Sequence, residues 1–294
     1  ETDTLLFKSW DQIPYDNVSP TKEVQIERLK TLKILSDSNS KRIILTTINS
    51  ITQKVIPRSV LNSHFFKVSK KQKIKFEDFI NNLTILGFQR TSLVRDKSEF
   101  SIRGSILDIF PNDRSKPIRI DFLDEEIETI YEFDPITQKR LKEINSDLEF
   151  NISNELILNE INLNFFRKNF RENFTEYRNS QVYNLFSEKI IPSGGEQYIP
   201  LFYTNLETLF DYIKKYTILL NDEFNLLLEN RLENINDFYL ARKNNKENFF
   251  LPPNFFYLDK HNLDKYLINN EHYYFNTFDK NNNINIDVHE IHNL

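Results

Sequence analysis

Side chains that carry out catalysis or bind metals are sparse in this sequence. It contains no cysteine, and its five histidines are His64, His261, His272, His289 and His292. The last two stand three residues apart in "HEIH", a spacing that one helical turn presents to a metal ion. Metal sites also need supporting polar groups around the ligands, so we interpret this run as a polar terminus and predict no metal site. The carboxylates at 124–126 fall in a predicted hairpin turn, where solvation argues against a catalytic role.

Phosphate-binding loops are also missing from the sequence. The four glycines are Gly87, Gly104, Gly194 and Gly195, and none of them precedes a lysine. A P-loop needs a glycine-rich turn followed by Lys and Ser or Thr, and a dinucleotide-binding turn needs several spaced glycines. We therefore predict that this chain alone hydrolyses no nucleotide and holds no cofactor.

Two arginines stand in strand-like segments. Arg103 lies in "EFSIRGSILDIFP", residues 99–111, and Arg119 lies in "PIRIDFLDEEIETI", residues 117–130. Side chains of a strand alternate between its two faces. One face of the second segment is predicted to pack on a helix and carries Ile118, Ile120 and Phe122. The other face is predicted to be open and carries Arg119, Asp121 and Leu123.

The predicted open face has two interpretations. An arginine beside an exposed aliphatic side chain is typical of protein–protein interfaces. The same pattern also fits a sheet face that is merely solvated. Gly104, next to Arg103, predicts a β-bulge or the close approach of another backbone.

Composition and charge limit the class of protein. A chain of 294 residues predicts about two domains. With 39% hydrophobic residues, including 26 Phe and 13 Tyr, the chain is expected to fold. A net charge of −5 makes nucleic acid an improbable main partner. Without a long apolar run or a signal peptide, the expected location is the cytoplasm, with no membrane partner. The absence of Met leads us to expect an excised or processed piece.

The pattern before residue 66 predicts an α/β layer with a parallel sheet. A strand near the start precedes a helix whose N-cap and first residue are predicted at Ser19 and Pro20. A buried-type strand follows at 42–47, and Pro57 ends a short helix. The lysine-dense run at 63–75 is predicted to be a domain boundary.

Residues 67–148 are predicted to form a small α+β module. Its helix has an apolar stripe and ends at Gly87 as C′. The predicted strands at 90–94, 99–110, 117–123 and 126–133 have short turns between them and form an antiparallel meander.

Residues 149–294 are predicted to return to an α/β pattern. Helices are expected at 163–174, 182–186, 205–213 and 223–244, and strands at 217–222 and 284–291. The tail from about residue 259 has the weakest pattern.

The two arginine segments, with "FDPITQKRL" at 133–141, resemble the UvrA-interaction module shared by the excision-repair protein UvrB and the transcription-repair coupling factors. The flanking segments are similar to the coupling factors rather than to UvrB. These segments are "WDQIPYDNVSPTKEVQIERLKTL", "TINSITQKVIP", "PSGGEQYIPLFY" and "LPPNFFYL".

The resemblance implies a degenerate, UvrB-like (helicase-type) α/β domain in two segments, 1–66 and 149–294, with the α+β module 67–148 inserted. It implies an adaptor that recruits UvrA to stalled transcription complexes and does not hydrolyse ATP by itself. In the full-length family the parent protein also binds RNA polymerase and double-stranded DNA, and its ATP-driven translocase motor lies outside this chain.

The family's partner-binding residues can be carried over by position. Arg103 and Arg119 match arginines that contact UvrA, and Glu125 or Glu126 matches an acidic turn. Leu123 stands where the family usually has an aromatic ring, and Ser105 replaces a second Gly or an Ala. Losing the ring reduces the contact area that the site buries.

Two alternative functions stay open from the sequence. The chain is either part of an ATP-dependent DNA translocase or helicase whose motor lies elsewhere, or a weak DNA-binding domain. DNA binding would use the lysines at 67–75 and would depend steeply on salt.

Overall fold

The computed structural model describes residues 3–37, 40–243 and 249–275. The strands β1 (Asp3–Phe7) and β2 (Arg42–Thr46) pair in parallel and are connected by α1 (Lys22–Asp37). Two short helices follow, α2 (Ile48–Ile51) and α3 (Arg58–Ser63). The buried apolar stripe of α1 consists of Ile26, Leu29, Leu32 and Leu35. The predicted α/β layer with a parallel sheet is confirmed.

The first helix begins later than predicted. Its first residue is Lys22, so Ser19 is not its N-cap. The Ser19 hydroxyl instead accepts a hydrogen bond at 3.0 Å from the backbone N–H of Gly194. A long-range contact therefore uses the side chain that the local sequence pattern assigned to the helix.

The next part of the chain forms a six-stranded sheet with a helix packed against it. Its elements are β3 (Phe65–Val68), α4 (Phe76–Ile85), β4 (Gln89–Arg90), β5 (Glu99–Arg103), β6 (Ile106–Ile109), β7 (Ile118–Leu123), β8 (Glu126–Phe133), β9 (Arg140–Glu143) and β10 (Leu148–Asn151). The sheet has the order β4-β5-β6-β7-β8-β9, and only the β4–β5 pair is parallel. β10 pairs with β3, so the sheet is inserted between two strands that contact each other. The predicted antiparallel meander is confirmed from β5 to β8, whereas the strand predicted at 90–94 is reduced to Gln89–Arg90 and pairs in parallel.

The helix α4 ends as predicted. Gly87 has a φ of +86° and follows the C-cap residue. Its N–H bonds the Thr84 carbonyl at 3.0 Å, and the N–H of Phe88 bonds the Leu83 carbonyl at 3.0 Å. This pair of bonds is the Schellman motif, which satisfies carbonyls at the end of a helix.

The region at 99–110 differs from its prediction. It is a hairpin of β5 and β6 and not a single strand, because Gly104 and Ser105 form a two-residue turn. Gly104 has a φ of +62°, and a Cβ there would meet no atom within 4 Å. The predicted close approach is therefore wrong, and the glycine supplies the positive φ of a hairpin turn. The register shifts of this sheet lie elsewhere, between Asp121 and Phe122 and between Tyr131 and Phe133.

The inner face of the sheet packs on α4 as predicted. Ile118, Ile120 and Phe122 are buried. The Phe122 ring lies 5.0 Å from Phe76 and 5.9 Å from Phe79 in edge-to-face geometry. These contacts leave only the opposite face of the sheet available to a partner.

The remaining elements alternate between helices and short strands. They are α5 (Glu160–Asn173), α6 (Gln181–Ser187), β11 (Ile218–Asn221), α7 (Phe224–Lys243), α8 (Lys260–Ile268) and β12 (His272–Phe275), which is parallel to β11. The helix predicted at 205–213 is reduced to a 3-10 turn, Phe210–Tyr212, because Glu207 bridges to Val55. The predicted strand at 284–291 and the "HEIH" run lie outside the described residues.

Residues before and after the six-stranded sheet contact each other. The Tyr15 hydroxyl donates to the carbonyl of Leu251 at 3.0 Å, and Arg28 pairs with Glu155 at 3.5 Å. These contacts agree with one domain in two segments, while the boundaries at 66 and 148 stay a prediction. In the part of the chain that the structure describes, no helix is both long and apolar enough to cross a bilayer.

Candidate protein-binding face

The face of the six-stranded sheet opposite α4, here called the outer face, contains both predicted arginines. Cross-strand pairing places Asp108 of β6 directly between Ser101 of β5 and Arg119 of β7. Paired residues of adjacent strands point to the same side of a sheet. The outer face is therefore built from side chains of at least three adjacent strands, with charged groups near its centre.

Asp108 and Arg119 form the buried centre of the outer face. Asp108 is fully buried, and it accepts hydrogen bonds from Arg119 Nε at 2.6 Å and Nη2 at 2.9 Å. The third guanidinium nitrogen donates to the carbonyl of Gln138 at 3.4 Å. The hydrogen bonds to Asp108 raise the pKa of Arg119 above its ordinary value. Both charges are therefore compensated inside the domain.

The expectation that Arg119 lies open on this face is wrong, since only 11% of its side chain is exposed. Its guanidinium lies 4.8 Å from the ring of Phe133, which packs with Val94 and Phe110 in a small separate cluster. Gln138 has a φ of +60° and donates to the carbonyl of Val94 at 3.4 Å. The loop at 91–98 and the turn at 134–138 therefore cover this end of the outer face.

Arg103 keeps the exposure that the sequence predicts. It donates from Nη2 to the same Asp108 carboxylate, yet 47% of its side chain is exposed. The buried carboxylate fixes one end of the guanidinium and leaves the rest in solvent. Such an arginine is preorganised to form charge-assisted hydrogen bonds with carboxylates of a partner.

The other predicted partner-binding residues lie at the β7–β8 turn. Leu123 is 61% exposed, and Glu125 is exposed beside Asp124, whose φ is +53°. Glu126 instead pairs with Lys71 at 3.4 Å. The structure therefore brings Leu123 and Glu125 to the open surface and partly engages Glu126 within the domain.

Arg140 is an outer-face residue that the sequence patterns did not identify. It donates to Asp121 at 2.7 Å, and its guanidinium lies 4.9 Å from the ring of Tyr131. Thr129 donates to the same Asp121 oxygen at 2.9 Å. The strand that carries Arg140 has four residues, too few for an alternating pattern to predict it. Asp121 on the predicted open face was the one indication in the sequence, since a carboxylate there favours a cation beside it.

Three of the five lysines at 67–75 form ion pairs within the domain. Lys67 pairs with Glu149 at 3.0 Å, Lys71 pairs with Glu126, and Lys70 pairs with Glu143. Each pairing reduces the positive charge that phosphate groups would meet. The structure therefore gives the DNA-binding alternative little support. Among residues 3–37, 40–243 and 249–275, no cluster of three or more His, Cys, Asp or Glu has the geometry of a metal site.

Comparisons with known proteins identify the region that contains the outer face. Residues 66–150 match the family model described as the UvrB interaction domain. The transcription-repair-coupling factor of Haemophilus influenzae is 33% identical over 225 residues, which are 76% of this chain and 20% of that protein. The protein of that name from Escherichia coli is 29% identical over 72% of this chain and 18% of its own length.

A third relative extends the match slightly further. The transcription-repair-coupling factor of Rickettsia typhi is 33% identical over 81% of this chain and 21% of its own length. The chain thus spans about a fifth of the length of these relatives. Residues 66–150 therefore match the UvrB interaction domain, within a chain that is similar over most of its length to transcription-repair-coupling factors.

Proposed function

We propose that this chain is the part of a transcription-repair coupling factor that recruits UvrA to stalled transcription complexes. The outer face of the UvrB interaction domain is the binding surface. The observation that carries the proposal is the position of the Arg103 side chain. It is hydrogen-bonded to buried Asp108, and about half of its surface is exposed to solvent. Arg103, Leu123 and Glu125 contact UvrA directly.

Each of these side chains has a separate physical role. Arg103 donates charge-assisted hydrogen bonds to carboxylates or carbonyls of UvrA, with less ordering entropy because Asp108 already holds it. Leu123 buries its exposed apolar surface against the partner, although it buries less area than an aromatic ring would. Arg119 and Glu126 support the surface through Asp108 and Lys71, and their direct contact with UvrA stays a prediction.

The activity of a longer protein is part of the same proposal. As in the relatives named above, the chain would belong to a protein that couples transcription to repair. RNA polymerase, double-stranded DNA and ATP-driven translocation are assigned to parts outside these residues. The present chain supplies the adaptor function and no hydrolysis.

The proposal is tested by titrating the purified chain with UvrA in a calorimeter. The variant Arg103→Ala is expected to weaken binding by about 30-fold, since truncating an arginine hot spot costs about 2 kcal/mol. Leu123→Ala is expected to weaken binding as well, through lost apolar contact.

A matched control for Arg103→Ala is Arg178→Ala, which removes an exposed arginine outside the UvrB interaction domain. It is expected to bind like the parent chain. Absence of UvrA binding by the parent chain, or equal affinity of the Arg103→Ala and Arg178→Ala variants, would contradict the proposal.

A further inference from the structure

We propose that Arg140 is a second anchoring arginine of the outer face and binds an acidic group of the partner at the β9 edge of the sheet. This inference rests on the proposed function. It adds a contact residue and a constraint on the chemistry of the partner surface.

The first argument is that Arg140 is held in the same way as Arg103. Each arginine donates one N–H to an aspartate of another strand, Asp121 two strands away for Arg140 and Asp108 on the adjacent strand for Arg103. The exposed fractions of the two side chains are 45% and 47%. The outer face therefore presents two similarly tethered guanidinium groups.

The second argument comes from the hydrogen-bond donors that are in use. A guanidinium has five N–H donors. Arg119 uses Nε, Nη1 and Nη2 inside the domain. Across the described ranges of the chain, Arg140 donates only to Asp121, so its other N–H groups are available to a ligand. Its stacking on Tyr131 limits the orientations of the guanidinium plane and reduces the entropy lost on binding.

The third argument is the charge of the outer face. At the centre of the outer face, Arg103, Arg119 and Arg140 surround Asp108 and Asp121, so these five side chains together carry a net charge of one positive unit. An excess of arginine favours an acidic partner surface.

The two exposed guanidinium groups are anchored on adjacent strands. Arg103 extends from β5 to Asp108 of β6, and Arg140 extends from β9 across β8 to Asp121 of β7. Adjacent strands lie about 4.8 Å apart, so the partner is expected to carry acidic groups close enough together to reach both arginines. A standard interface of about 800 Å² per partner is wide enough to include both.

A scaffold role alone does not explain Arg140. Arg140 is half-exposed although Asp121 is only 16% exposed, so water reaches the cation and the Arg140–Asp121 pair is a modest source of stability. Its contribution to binding is larger when a partner excludes water from the outer face.

The test measures UvrA affinity at low and physiological salt for four variants: Arg140→Gln, Arg140→Lys, Arg103→Gln and Arg178→Gln. Arg178 is the matched control, since it is exposed and lies 5.8 Å from the ring of Tyr177. Arg140→Gln is expected to weaken binding about fivefold at low salt and less at physiological salt. Arg140→Lys is expected to recover part of the affinity, because it keeps the charge and loses the planar fork.

The outcomes separate this inference from the proposed function. If Arg103→Gln weakens binding while Arg140→Gln binds like Arg178→Gln, the inference is overturned and the proposed function stands. If the parent chain does not bind UvrA, both are overturned. Urea unfolding of each variant serves as the folding control. If Arg140→Gln is unfolded, Arg140→Lys decides alone: reduced affinity supports the inference because the planar fork is lost, and parental affinity at both salt concentrations overturns it.

Discussion

Replacing Asp108 with asparagine tests whether a buried carboxylate organises the outer face. Asp108 is fully buried and accepts two hydrogen bonds from Arg119 and one from Arg103. Asparagine has the same shape, but it lacks the charge and turns one acceptor into an NH₂ group that faces a guanidinium. The Arg119 charge would then be buried without a carboxylate partner.

The expected loss of stability follows from the burial of Arg119. Removing one partner of a buried ion pair costs about 3–5 kcal/mol, because the remaining charge stays desolvated. Arg119 retains 11% exposure and a contact with the ring of Phe133, which places the expected cost at the lower end, about 3 kcal/mol.

Urea unfolding followed by circular dichroism measures this loss. The matched control is Asp121→Asn, the same substitution on the same face, whose partner Arg140 is 45% exposed. Asp121 is 16% exposed, but its loss leaves no buried cation because Arg140 still reaches solvent, so the control is expected to lose only about 1 kcal/mol. If Asp108→Asn and Asp121→Asn have the same free energy of unfolding within error, Asp108 does not compensate a buried charge and the reasoning is wrong.

Three further predictions concern the glycines, a buried carboxyl group and nucleotide hydrolysis. Gly87→Ala would place a Cβ 2.9 Å from Asn154 Cβ at a φ of +86°, and it is expected to lower the free energy of unfolding by more than about 2 kcal/mol. The Cβ of Gly104→Ala would meet no atom within 4 Å, so only backbone strain of about 1 kcal/mol is expected. Urea unfolding of both variants compares the two losses. Burial raises the pKa of Glu196, so the folded protein loses stability as pH rises from the ordinary glutamate range through the raised pKa. Glu196→Gln is therefore expected to be more stable than the parent at neutral pH, and urea unfolding at several pH values should show this advantage vanish on acidification. The purified chain is expected to show no DNA-stimulated ATP turnover in a phosphate-release assay, because none of its four glycines begins a P-loop.

The elements with a clear periodicity were predictable from the sequence. The helix α4 has an apolar stripe and a C′ glycine, and β7 alternates over six residues, so local spacing determined both. The four-residue strand β9 has no such pattern, and its formation depends on pairing with β8. The segment at 205–213 has a helical composition, but its first residues are extended because Glu207 forms a β-bridge with Val55.

The outer face shows which part of a site a sequence can specify. The alternation in β7 correctly assigned Arg119 to the side opposite α4, since Arg119 pairs across the sheet with Asp108. It could not show that the loop at 91–98 and the turn at 134–138 fold over that side chain, because these contacts join distant parts of the chain. Arg103 lies beyond this cover, and so its predicted exposure holds.

The small contribution of a buried ion pair to stability indicates why such a pair occupies the centre of the outer face. A buried ion pair contributes little more stability than apolar side chains of similar volume would, because both charges lose their hydration. The Asp108–Arg119 pair is therefore poorly explained by folding alone. An apolar pair there would leave Arg103 without the carboxylate that orients it, and the guanidinium would lose rotamer entropy when a partner binds. Arg119 donates two hydrogen bonds to that carboxylate inside the domain, so the buried pair contributes to recognition through the orientation of Arg103.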